Sequence, residues 1–128
     1  MPALSSYDYA VLRVVPNVER KEFINVGVIL FCRTRRFLGV RIELQPKRLA
    51  VLAPELDLEM VKAQLDLFPR ICAGGPDAGP IGQLEQPDRF HWLVAPRSTA
   101  IQVSPVHCGL CADPQAALDE VFEKQVCF

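Results

Sequence analysis

No run of apolar residues in this chain approaches the roughly 20 needed for a helix to cross a bilayer, and the longest, Val26 to Cys32, stops far short. No basic stretch followed by an apolar one opens the sequence, so no secretory leader is expected. Neither sign of charge is in excess: 14 Lys and Arg stand against 15 Asp and Glu. That balance excludes a protein that grips nucleic acid or anionic membrane with its whole surface, and leaves only local patches for such work. The five cysteines are odd in number and irregularly spaced, unlike the paired framework of small secreted domains. Internal repeats and low-complexity tracts are missing as well. Together these absences predict a cytoplasmic protein with free thiols and no membrane segment.

What is present describes a folded protein. With 128 residues, half of them hydrophobic and 23% charged, the chain has enough apolar surface to offset its conformational entropy without disulfide or metal staples. One domain over residues 1–128 is the expectation. Cys32 and Cys72 lie among apolar neighbours and read as small buried hydrophobes.

The first third carries three segments rich in β-branched and aromatic residues, Tyr7 to Val15, Phe23 to Cys32 and Phe37 to Leu44, with short polar breaks between them. They predict an antiparallel three-stranded meander. Because side chains alternate faces, strict alternation groups Ala10, Leu12 and Val14 with Ile24, Val26, Val28 and Leu30 and with Leu38, Val40, Ile42 and Leu44 on one apolar face. The other face is mixed: Tyr7, Tyr9, Val11 and Arg13, then Asn25, Gly27, Ile29 and Phe31, then Gly39, Arg41 and Glu43. A regular register places Arg13 near Asn25, and Tyr9 near Ile29 and Arg41. So much apolar surface on a mixed face calls for a partial cover, whether the chain's own helices, a twin subunit or a ligand.

After Gln45 and Pro46 the period becomes helical. A short helix is predicted over Lys47 to Leu52. A longer one follows, capped by Asp57, with Leu58, Val61, Leu65 and Phe68 as its buried stripe and a kink or an end at Pro69. The stretch from Gly74 to Pro80 is turn chemistry. Residues Gln83 to Leu110 supply one or two strands, or a strand after a helical turn. A last helix starts at Asp113 and Pro114 and buries Leu118, Val121, Phe122 and Val126. Strands first and helices later give an α+β class: the N-terminal meander, extended by one or two later strands, with helices packed on one face.

Candidate chemistry is sparse. His107, Cys108 and Cys111 set two thiols at Cys-x-x-Cys spacing beside an imidazole, the residue types of a redox pair or a zinc site. Asp113, however, adds a charge that opposes thiolate, the second ligand pair of a recognisable zinc site is missing, and ordinary thiols in a loop are the better reading. Arg97, Ser98 and Thr99 offer a guanidinium and two hydroxyls on a turn, fit to hold phosphate or carboxylate; the same residues also serve turns structurally. Arg13, Asn25 and Arg41 on the mixed face are further ligand-binding candidates. Arg33, Arg35 and Arg36 surround Thr34 at a hairpin tip, where charge commonly serves solubility. Ser98, His107 and Asp113 lack the Gly-x-Ser-x-Gly elbow of a hydrolase, and the glycines at 74, 75, 79 and 82 lack the lysine and spacing of a phosphate loop. The residues therefore lean away from an enzyme and imply no cofactor.

At "YDYAVLRVVPNVERKEFINVGVILFC" and "FHWLVAPRSTAIQVSPVHCGL", above all at "EFINVGV" (22–28) and "PRST" (96–99), the chain resembles the small bacterial proteins grouped as domain of unknown function family 3037. The cysteines of "HCGLC" are outside that pattern. The resemblance implies no activity, but it implies genomic neighbourhood with HipA-like kinases and hence a partner or regulator role. The expectation is a non-enzymatic interaction protein acting through a homodimer or a HipA-like kinase. The alternatives are a binder of phosphorylated ligand or nucleic acid through Arg97 and the mixed sheet face, and a thiol or zinc site at Cys108 and Cys111.

Overall fold

In the computed structural model, strand β1 (Ser5–Asn17) is the longest, and every other strand takes its place relative to it. The structure describes residues 3–17, 22–96 and 100–127. On one side of β1 lies β2 (Glu22–Cys32), followed at the sheet's edge by β3 (Phe37–Ile42), all antiparallel. This is the expected meander. The other side of β1 is shared end to end by two short late strands. Strand β4 (Ile101–Val103) pairs with Leu12 to Val14, and β5 (His107–Cys111) pairs with Ser5 to Tyr9.

Between β4 and β5 the chain kinks at Pro105, and Ser104 repairs the ladder there. Its amide donates to the Val11 carbonyl at 2.9 Å, and its hydroxyl oxygen accepts from the Val11 amide at 2.8 Å, in place of a backbone carbonyl. The hydroxyl donates in turn to the Pro105 carbonyl at 2.9 Å. A buried serine thus keeps both polar groups of Val11 partnered where the strand is interrupted.

Helices follow the meander: α1 (Pro46–Leu52), α2 (Leu58–Ala73), a 3₁₀ turn at Pro76–Ala78, α3 (Gly79–Gly82), α4 (Gln86–Leu93) and α5 (Pro114–Gln125). Asp57 caps α2 by accepting from the Met60 amide, and Asp113 caps α5 by accepting from the Gln115 amide. Helix α2 does not end at Pro69 but runs on to Ala73. Pro69 points outward, while Ile71 and Cys72 extend the buried stripe, so continued packing outweighs the lost donor. The end comes at Gly74, whose φ of +74° suits glycine and where an added Cβ would stand 2.6 Å from an Arg89 nitrogen. Arg89 reaches across from α4 and donates to the Ile71 and Cys72 carbonyls at 2.8 and 2.9 Å, placing a cation on the negative end of α2. Residues 86–93 form a helix that buries Phe90 and Leu93, three apart, in a stretch where sequence pattern leaves strand and helix open.

Two cores result, one on each face of the sheet. Ala10, Leu12, Val14, Ile24, Val26, Ile29, Phe31 and Leu38 pack against Leu49 of α1, Val61, Leu65 and Phe68 of α2, and Phe90 and Leu93 of α4. Val28, Leu30 and Cys32 pack on the opposite face against Ala117, Leu118, Val121 and Phe122 of α5, with Tyr7, Tyr9 and Phe37 alongside. The expectation of helices on one face is therefore corrected to helices on both.

A β-bulge is the physical reason. Leu12 pairs with Gly27 and Arg13 with Asn25, so Val26 is an extra residue in β2. Strict alternation fails across it. Val28 and Leu30, expected with Ala10 and Leu12, face α5 instead, while Ile29 and Phe31 take their places in the larger core. The register beyond the bulge shifts accordingly: Tyr9 opposes Leu30, which opposes Gly39, and Arg41 opposes Val28.

Candidate functional site

The mixed face was the leading candidate surface, and α5 occupies it. Arg13 and Asn25 are directly opposed, as the regular register predicts, because they lie on the near side of the bulge. Asn25 spends its amide on the end of α5, donating to the Gln125 carbonyl at 3.0 Å. Arg41 lies 4.2 Å over the Phe122 ring and 3.2 Å from the Asp119 carboxylate, both residues of α5. With 43% and 49% of these side chains exposed, the ion pair contributes at most about 1 kcal/mol, and the stacking fixes where the helix lies. Arg13 turns toward Phe23, its guanidinium 4.2 Å over that ring. The Arg13 Nε and the Asn25 Oδ1 are buried without a protein partner, a donor and an acceptor on facing residues that one bridging water would satisfy. Two of these three candidates therefore hold a helix, and the third supports an exposed aromatic ring. Arg97, Ser98 and Thr99 lie outside the described residues.

The thiol candidates are on strand β5 rather than in a loop, and the strand separates them. Residues three apart point to opposite faces of a strand. Cys111 is buried against the thiol of Cys32, while Cys108 is exposed with its thiol 3.2 Å from the Asp8 carboxylate. Both are held above the usual thiol range: Cys108 by its hydrogen bond to Asp8 and that residue's charge, Cys111 by burial and the neighbouring Cys32. Raised thiols are poor nucleophiles, the reverse of what a redox Cys-x-x-Cys pair requires. His107 packs at a tilt of 34° against Tyr9, with ring centroids 5.4 Å apart. Among the described residues no group of three His, Cys, Asp or Glu side chains is placed to hold a metal ion.

A different surface gathers exposed apolar side chains. Phe23 at the start of β2, Val51 and Leu52 on α1, and Met60 on α2 are 47%, 87%, 41% and 46% exposed. They line two adjoining cavities of about 560 and 720 Å³ that share Glu22 and Leu52 as a common wall. Glu55 and Asp57 stand on the wider cavity's rim.

The family model described as "Protein of unknown function (DUF3037)" matches residues 9–126. The chain belongs to this family. The match begins inside β1 and closes just past α5, so it takes in both helical layers and all of the sheet but the first four residues of β1. No curated protein and no solved structure matches the chain. No described helix is long and apolar enough to cross a membrane.

In this family member the apolar surface was missed because periodicity finds what is buried. Helix α1 sinks only Leu49 into the core, and its exposed Val51 was the available signal: a β-branched residue on the open side of a short helix. Phe23 sits one residue before buried Ile24, on the side that alternation treats as solvated.

Proposed function

We propose that this protein is a non-enzymatic, cytoplasmic interaction protein whose contact surface is the apolar patch of Phe23, Val51, Leu52 and Met60. One observation carries the reading: these four side chains, on three separate elements, meet around two adjoining cavities and leave large apolar groups in water. Monomeric surfaces keep such groups scattered, whereas interfaces cluster them at the centre of a polar rim. Glu22, Glu55 and Asp57 outnumber Arg48 in the lining, an acidic excess that favours a partner bringing an apolar anchor flanked by basic groups. A HipA-like kinase is the partner suggested by the family resemblance. Five free cysteines, three of them buried within the cores, agree with a reducing compartment.

The test is binding of the purified HipA-like kinase from the same cell, followed by light scattering and titration, to wild type and to Val51→Asp. A one-to-one complex that Val51→Asp abolishes supports both surface and partner. A complex unaffected by Val51→Asp refutes the surface. A wild-type protein that forms dimers broken by the same substitution gives the patch to a second copy instead.

A further inference from the structure

The tip of the β2–β3 hairpin meets the start of α4 around a cavity of about 480 Å³, lined by Phe31, Arg33, Arg36, Glu85, Gln86 and Pro87. That volume falls in the range of small-ligand clefts. Its floor is firm. Phe31 is stacked on Phe90 with centroids 5.2 Å apart and is 5% exposed.

The three arginines of the tip are employed differently. Arg35 turns to the chain's beginning, donating to the Ser5 hydroxyl at 3.2 Å and the Ala3 carbonyl at 2.9 Å. Arg33 and Arg36 line the cavity, and among the described residues neither makes an ion pair. Charge for solubility alone does not require two of the tip's arginines to border one cavity floored by Phe31.

Arg36 adds a second, independent observation. Its φ is +51°, the left-handed region where a hairpin of this kind ordinarily places glycine or asparagine, and it is the one described non-glycine residue with a positive φ. Two bonds hold the strained backbone: its amide donates to the Arg33 carbonyl at 3.1 Å, and its carbonyl accepts from the Gln86 side chain at 2.9 Å. Gln86 comes from α4, fifty positions along the chain, so the fold locks this tip against the cavity's other wall. The side chain that this strained position carries is exposed at the cavity wall.

We propose that this cavity binds a small organic phosphate, a phosphate monoester carrying a planar or apolar body. Two guanidinium groups against one carboxylate leave a net positive lining, suited to a dianion and to the paired N–H geometry that phosphate oxygens accept. The ester's body rests on Phe31 and Pro87, and Glu85 offers an acceptor to a hydroxyl or amino group of the ligand. This site is separate from the apolar patch and does not depend on the proposed partner.

Phenyl phosphate is the probe, titrated into the full-length protein and followed by amide chemical shifts, with inorganic phosphate and phenol as partial probes. Saturable binding is expected at millimolar concentrations or below, with shifts confined to residues 31–36 and 85–90, weaker binding of phosphate alone and none of phenol. Arg33→Ala and Arg36→Gly each remove a charge-assisted hydrogen bond and should weaken binding roughly tenfold or more. Arg35→Ala should leave affinity unchanged. Arg36→Gly also relieves the backbone strain, so its thermal midpoint should equal or exceed that of wild type, which separates lost binding from lost fold. The proposal fails if phenyl phosphate shows no saturation, if its shifts fall elsewhere, or if Arg33→Ala and Arg36→Gly bind as wild type. It also fails if a short single-stranded RNA binds the same residues more tightly with steep salt dependence, because the occupant would then be nucleic acid.

Discussion

Gly27→Ala should destabilise the protein, because the bulge in β2 has room for a hydrogen atom and little more. An added Cβ would stand 2.8 Å from the Arg41 carbonyl oxygen, 3.0 Å from Ile42 Cγ1 and 3.3 Å from Ile42 Cα. Two of those three atoms belong to the backbone of the paired strand β3, which cannot retreat without opening its ladder. Overpacking of this kind costs about 1–3 kcal/mol, and the smaller chain entropy of unfolded alanine offsets about 0.5–1 kcal/mol of it, leaving a net loss of about 1–2 kcal/mol. In a chain of this length that corresponds to a fall of roughly 3–10 °C in Tm. Gly39→Ala provides the comparison. Its Cβ would meet Phe37 Cζ at 2.7 Å, Phe37 Cε1 at 2.9 Å and Leu118 Cδ2 at 3.3 Å, all of them side-chain atoms and the nearest two at the far end of a half-buried ring. That variant should lose less than about 1 kcal/mol by urea unfolding. If Gly39→Ala proves as costly as Gly27→Ala, or if Gly27→Ala unfolds with wild type, the bulge does not constrain the sheet as argued.

Ser104→Ala should leave the buried Val11 amide without an acceptor and cost about 1–3 kcal/mol, with faster hydrogen exchange at Val11 as its local signature. Arg89→Met keeps the aliphatic length but removes the bonds to the Ile71, Cys72 and Leu84 carbonyls; a loss of about 1.5–3 kcal/mol is expected in thermal unfolding, and an unchanged midpoint would remove the cap from the account. Burial pushes the Cys72 thiol up to about 12 from 9.0. Below pH 9 both states hold the proton; above it the unfolded chain releases a proton that the folded chain keeps, so stability declines by up to about 1.4 kcal/mol per pH unit from this group. Cys72→Ala should therefore show a shallower decline in stability between about pH 8 and 10, and parallel curves for the two proteins would contradict the burial of that thiol.

The meander, the long helix with its Asp57 cap and the last helix with its Asp113 cap are legible in sequence because each rests on neighbours in the chain: alternation, three-and-four spacing, a capping side chain. The second helical layer was harder to see, since one inserted residue at Val26 leaves regular alternation on both sides of itself while exchanging which face each half presents. Gly27 within a strand was the local hint. Helix α4 is docked by buried Phe90 and Leu93 and by Arg89 reaching another helix, contacts that no window around residues 86–93 contains. The candidate surfaces obey the same rule. Asn25 and Arg41 were found as polar residues in an apolar setting, but their use depends on where α5 docks. The cavity at the hairpin tip needs Arg36 and Gln86 to meet across fifty positions, and the apolar patch needs three elements to converge.

The placement of β1 has a consequence for the newborn chain. One flank of that strand is satisfied early by β2, but the other waits for residues 101–111, which leave the ribosome well after β2 and β3. During translation the amides and carbonyls along that flank stay open while the apolar face beside them already seeks cover, a state prone to pairing with foreign strands. Closure depends on positions as distant as Val11 and Ser104, 93 apart, so a segment made long after β1 is the one that seals this flank.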